Sequence, residues 1–146
     1  MLIVAKFFAV FATTLFAGAA VYINLVEHPA RMGLSTEAAA AQWAPSYKRA
    51  TFMQASLAIV GFVSGVSAWL LGAGFMWFIA SVIILAVVPV TLVVIYPTNT
   101  KLLAPGRDLS SPETRELLTR WGWLHAIRSM LSLVATVLFV SLSVCA

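Results

Sequence analysis

Four stretches of this chain are too long and too apolar to sit comfortably anywhere but in a lipid bilayer: residues 2–26, 50–71, 75–96 and 121–145. Crossing the hydrocarbon core takes about 20 apolar residues in a helix, and each stretch reaches that length. Lipid offers the backbone no hydrogen-bond partners, so each stretch must satisfy its own N–H and C=O groups, as a helix does. The expected fold is all-α: a four-helix transmembrane bundle forming one membrane domain over residues 1–146. Charge is scarce enough to agree. Only 10% of residues are charged, against about 25% in soluble domains, and the mean hydropathy is +0.98.

Lys6 at the head of an apolar run, followed by Ala17-Gly18-Ala19, has the outline of a signal peptide. The charge lies inside the run, however, and apolar residues continue to Val26, so this stretch is expected to remain as the first span. Leu71-Gly72-Ala73-Gly74 is too short for anything but a tight turn, which makes spans 2 and 3 an antiparallel hairpin. Residues 28–49 and 97–120 read as longer loops at the opposite end. They hold Arg31, Lys48, Arg49, Lys101, Arg107, Arg115 and Arg120, against Lys6 alone on the other side. The positive-inside rule then puts both loops in the cytoplasm and both termini outside. The net charge of +4 is explained by that rim and implies no nucleic-acid partner. A single cysteine, Cys145, excludes an intrachain disulfide and any cysteine-rich metal motif.

Both loops carry helix signals. Ser35 is placed to cap a short helix through Glu37 and the alanine run, ending before Pro45 and lying along the interface with Trp43 exposed. Ser111-Pro112-Glu113 is a start signal for a helix that would continue through the fourth span. Such a helix would be about 50 Å long, so its first turns are expected to project into the cytoplasm. Gly61 and Gly65 form a small-xxx-small pattern suited to close helix approach and available for an oligomer, and Pro89 predicts a kink in span 3.

Polar side chains gather at one end of the spans: Glu27 and His28, then Tyr47 and Gln54, then Asn99, then Trp121 to Arg128. On the fourth span Trp121, His125, Arg128 and Ser132 are spaced by four, three and four, which puts them on one helical face. Ionisable groups inside a membrane are costly and usually functional. Blander readings exist for each residue. Tyr47, Trp121 and Trp123 suit an interfacial aromatic belt, Arg49 and Arg128 can snorkel to the headgroups, His28 would merely precede Pro29 at a helix end, and Glu27 with Arg128 would make a structural ion pair. For Trp123 and Arg49 the belt reading is preferred.

VEHPAR at 26–31, YPTNTKLL at 96–103 and RWGWLHAIR at 120–128, spread across four spans, resemble the DUF1772 family, small four-helix membrane proteins that include the anthrone oxygenase-like proteins. The resemblance covers nearly the whole chain. It implies a membrane oxidoreductase that oxidises a phenolic or polycyclic aromatic substrate with dioxygen. In that chemistry His125 would be the general base, Glu27 or His28 would orient it or relay its proton, Arg128 and Asn99 would stabilise the oxyanion, and Trp121 would stack on the ring, with Gln54 and Tyr47 beside it. No cofactor is expected. The implied partners are a hydrophobic small molecule, dioxygen and the lipid bilayer. Alternatives stay open: an iron, copper or zinc site built from His28, His125 and Glu27, which needs a broken helix end at Pro29; haem between the two histidines; a small proton-coupled transporter; or a structural protein without catalysis.

Overall fold

The computed structural model describes residues 1–145. Four helices account for nearly all of it: α1 (Leu2–Met32), α2 (Thr36–Ala73), α3 (Phe75–Leu102) and α4 (Pro112–Val144), each long and apolar enough to cross a membrane. There is no strand among the described residues. The helices form a ring in which α1 packs against α2 and α4, and α3 packs against the same two from the other side. The chain is a multi-pass membrane protein.

Its surface and core divide as lipid demands. Large apolar side chains face outward, among them Phe52, Val93 and Met130, where acyl chains would cover them. The interior is built from small residues: Ala9, Ala20, Ala58, Ala68, Ala80 and Ala135 are wholly buried, and Phe16, Trp77 and Phe139 fill the space between them. Burying leucine gains little when lipid is equally apolar, so close backbone approach and dispersion carry the packing. The buried positions of α4 include the series Thr114, Leu118, Trp121, His125, Arg128, Ser132, Ala135 and Phe139, flanked by Leu117, Gly122 and Ser129. Those steps of four and three are the seven-residue repeat of a left-handed bundle. His125 and Arg128 therefore occupy ordinary core positions of a register that is apolar at its far end.

The Gly61/Gly65 pattern is consumed inside the chain rather than left for an oligomer. A Cβ on Gly61 would lie 2.6 Å from Thr13 Oγ1 of α1, and one on Gly65 would run into Ser81 and Phe139. The hairpin is as expected: Gly72 (φ 92°) and Gly74 (φ 97°) take the left-handed conformations that let the chain reverse between α2 and α3.

The two predicted loops are mostly helix. Only residues 33–35 separate α1 from α2, so 28–49 is not a loop and the short interfacial helix does not exist. Ser35 does cap α2, its Oγ accepting from Ala38 N–H at 3.3 Å. The helix then passes straight through Pro45. Pro45 and Ala41 are both exposed, so the carbonyl that the proline cannot serve is open to solvent and the helix need not end. Trp43, expected at the surface, is buried for the same reason: α2 continues into the bundle and turns it inward. Likewise α3 runs on to Leu102, leaving 103–111 as the only long connection among the described residues. Ser111 caps α4 as predicted, accepting from Thr114 N–H at 3.2 Å, and the helix of 33 residues exceeds the roughly 30 Å hydrocarbon core.

Pro29 does not break α1. A wide π-type turn, Ile23–Glu27, precedes it, with His28 N–H reaching back five residues to Ile23. The same device precedes Pro97: the turn Val90–Ile95 closes with Tyr96 N–H on the Thr91 carbonyl. A proline cannot donate to the carbonyl four residues back, and slipping the ladder by one residue ahead of it absorbs the mismatch. Near Pro89 α3 also leaves regular geometry, with a single turn residue at Ala86. Finally, the Arg115 guanidinium of α4 donates to the carbonyls of Leu34, at 3.1 Å, and Met32, tying the end of α1 to α4.

Candidate functional site

The π turn of α1 brings Asn24 against α4, and Asn24 organises what lies there. Its Nδ2 donates to the Gly122 carbonyl at 2.9 Å. A carbonyl can only accept, so this bond fixes which way the carboxamide faces. Asn24 Oδ1 then accepts from Ser129 Oγ at 2.6 Å and lies 2.7 Å from His125 Nδ1. His125 must donate from Nδ1, which leaves the lone pair of the neutral ring on Nε2. A tautomer set in this way is what a general base needs.

Arg128, one turn further along α4, donates from Nη2 to Gln54 Oε1 at 2.7 Å. Its guanidinium carbon lies 5.4 Å from the centre of the Phe16 ring, a favourable cation–π placement. It has no counter-ion: among the described residues the ion pairs are Arg31–Glu27 and Arg107–Glu113. The expected Glu27–Arg128 pair is not formed; Glu27 is taken by Arg31 and Ser46 instead. A cation that is 7% exposed and without an anion is costly to hold in a membrane.

His125, Arg128, Trp121, Gln54, Tyr47, Trp43 and Arg31 enclose a cavity of about 10 Å³, room for about one water. Trp43 Nε1, Trp121 Nε1, Gln54 Nε2 and Arg128 Nε are all buried without a hydrogen-bond partner. Every one is a donor, and every one belongs to a residue lining this cavity. Buried unsatisfied polar atoms are few in a native fold; four donors around one small space want an acceptor there. The walls are aromatic: Trp43 stacks on Tyr47 at 5.0 Å and meets Trp121 edge-on at 5.8 Å, and Trp121 lies 4.9 Å from the His125 ring.

The remaining predicted residues are placed apart. His28 packs on the Trp121 indole at 5.2 Å, with its Nδ1 3.4 Å from Arg31. It sits so close to α4 that a Cβ on Gly122 would be 2.6 Å from its ring. Glu27 pairs with Arg31, accepts from Ser46 Oγ at 2.6 Å, and lines an open groove between α1 and α2. Neither Glu27 nor His28 hydrogen-bonds His125, so neither orients it. Asn99 is buried, with neither carboxamide atom partnered, but it lines a separate groove with Tyr47 and Tyr96; α3 places it outside the cavity that holds Arg128. Trp123 is 77% exposed and Arg49 is exposed, as the belt reading expects.

Asn24, Ser129, Trp43 and Arg31 were missed. Asn24 precedes His28 by four residues, a spacing that could have flagged it; Trp43 was lost to the helix end wrongly placed at Pro45. The residues of the alternative metal set have other neighbours in this structure. His28 faces Arg31, His125 faces Asn24, and Glu27 is taken by Arg31 and Ser46. No three His, Cys, Asp or Glu among the described residues converge as a metal site. Both imidazoles pack on the Trp121 indole.

Residues 43–138 match the family described as anthrone oxygenase, well over half of the chain. The chain belongs to the anthrone oxygenase family. Among curated members, Anthrone oxygenase dmxR16 of Cryptosporiopsis sp. is 29% identical over 138 residues, covering 89% of this chain and 80% of that one. Anthrone oxygenase tpcL of Aspergillus fumigatus is 39% identical over 70 residues, covering 46% of this chain and only 44% of the relative. No solved structure matches. The family match includes Trp43, Tyr47, Gln54, Trp121, His125 and Arg128, and begins after Asn24, Glu27 and His28.

Proposed function

We propose that this chain oxidises a methylene held between aromatic rings, as in an anthrone, to a carbonyl with dioxygen, the substrate itself supplying the electrons. The observation that carries this reading is the pairing of a base with an oxyanion site. His125, whose Nε2 keeps the lone pair, and Arg128, a buried cation without a counter-ion, line one cavity, and four unpartnered donors belong to residues of the same lining. The two curated relatives named as anthrone oxygenases support the substrate class.

His125 Nε2 takes one methylene proton. The electron pair left on carbon spreads into the ring carbonyl, and Arg128 with the free N–H groups of Gln54, Trp43 and Trp121 stabilises the charge on its oxygen. The enolate passes one electron to dioxygen, superoxide and substrate radical join through a new C–O bond, and the peroxide takes the proton back from the imidazolium. The O–O bond then breaks as the second methylene proton leaves, releasing water and forming C=O. The sum is CH2 plus O2 giving C=O plus H2O, so the electrons balance without an external reductant. Trp121 packs on the ring. Glu27, joined to the cavity rim through Ser46 and Arg31, connects the site with water in the open groove. In our reading the site faces the cytoplasm and both termini lie on the other side.

Oxygen uptake and quinone formation by the detergent-purified protein test this directly. His125→Ala is expected to lower turnover about a hundredfold or more, the scale for losing a general base, and Arg128→Gln to cost about as much, the scale for losing an oxyanion donor. Full activity of His125→Ala would refute the reading.

A further inference from the structure

The polar cavity holds no more than a water, so the body of any substrate must sit elsewhere while its oxygen edge reaches Arg128. An apolar chamber of about 130 Å³ between α2 and α3, lined in part by Phe16, Ala55, Ala58, Val87 and Leu92, meets that need. Thr51, Gln54 and Arg128 line both it and the polar cavity. We propose that this chamber is a ring-binding site loaded sideways from the bilayer, and that the Arg128–Gln54 hydrogen bond is the gate between ring and base. The proposal rests on the base-and-oxyanion reading above and adds where the substrate enters and what limits its size.

Three features argue for it. Ala55 and Leu92 lie on the outer surface of the bundle, so the chamber's mouth opens where lipid would be, and a molecule dissolved in the bilayer reaches it without crossing water. Its α3 wall, Val87 to Leu92, is where that helix is least regular, running from just after the turn at Ala86 into the π turn Val90–Ile95. Fewer regular backbone bonds there make this wall the part of α3 that yields most readily. The polarity is one-sided too. The Thr91 hydroxyl is spent on the Val87 carbonyl at 2.6 Å, whereas Gln54 Nε2 and Arg128 Nε are buried and unpartnered. A ligand that fits has a flat apolar body and an acceptor oxygen, anionic or carbonyl, on one edge. When it arrives, Gln54 releases Arg128, which turns to that oxygen. At about 130 Å³ the chamber is smaller than the roughly 300 Å³ of a typical small-molecule pocket, so the far ring of a larger substrate lies in the mouth among lipid. Ala55, with no bulk to obstruct the mouth, and Leu92 opposite then set the size limit.

The test uses positions outside the catalytic group. Ala55→Phe narrows the mouth from a surface position that tolerates bulk, and Leu92→Trp does so from the other helix. Each is expected to raise KM for a three-ring anthrone about tenfold with kcat nearly unchanged, the pattern of lost uniform binding. A readout independent of turnover is photocrosslinking: benzophenone side chains at position 92 or 123, in protein reconstituted in vesicles, are irradiated with an anthraquinone probe. Crosslinking at 92 well above 123 is the expected result. Equal crosslinking at the two positions, or KM unchanged in both variants, would overturn the chamber. If His125→Ala keeps full activity while the 92 crosslink persists, the base assignment fails and the chamber stands.

Discussion

At the residue scale, the site depends on a side chain that carries no chemistry of its own. Asn24 is read by the Gly122 carbonyl on one side and reads His125 on the other, so it decides which imidazole nitrogen is basic. Asn24→Leu is expected to lower kcat about 10- to 100-fold, the usual cost of losing a partner that orients a functional group, while membrane insertion and quantity of folded protein stay unchanged. A wild-type kcat in this variant would show that His125 needs no fixing. Gly122 makes a separate prediction. Because a Cβ there would meet the His28 ring at 2.6 Å, Gly122→Ala should destabilise the detergent-solubilised protein by about 1–3 kcal/mol. Gly18→Ala, which has open space around it, should stabilise it slightly, by up to about 1 kcal/mol; thermal melts of both compare the two directly. The face shared by Trp121, His125 and Arg128 was legible in the sequence because helical spacing alone fixes it. The partners of those residues were not, since they depend on which face of α1 the π turn brings to α4.

At the scale of the elements, proline explains both what could be read and what could not. Four apolar runs and two capping serines located every helix, but the ends were drawn too early wherever a proline stood. Pro45 lies on a solvent-open face, and Pro29 and Pro97 each follow a π turn that accommodates them. Pro29 of Glu-His-Pro and Pro97 of Tyr-Pro-Thr-Asn thus each stand just after a slipped turn. The glycines of α2 give the prediction here. Gly61→Val must displace Thr13 of α1, so it should lower the melting temperature by several degrees, consistent with overpacking of about 1–3 kcal/mol, without changing the oligomeric state seen in native mass spectrometry. A variant as stable as the parent but shifted in oligomeric state would return these glycines to an outer interface.

For the whole molecule, the helical bundle with its lipid-facing exterior followed from hydropathy alone, whereas its orientation rests on basic residues clustered near one end. That asymmetry predicts that an impermeant thiol reagent added outside the cell labels Cys145, which is exposed, and spares a cysteine placed at Lys101 in a Cys145→Ser background. The reverse pattern would invert the molecule and open the site to the other side. Across the bundle the register of α4 is ordinary; what is unusual is that its core positions near one end are filled by a base, a cation without a counter-ion and aromatic donors. The claim that this end is built to remove a proton from carbon can be examined without dioxygen. Under anaerobic conditions in D2O, the wild-type protein in vesicles should exchange the methylene hydrogens of an anthrone with solvent well above the rate in vesicles alone, followed by mass spectrometry of the recovered substrate. His125→Ala should exchange at the background rate and Trp123→Ala near the wild-type rate. Exchange that persists undiminished in His125→Ala would contradict the account.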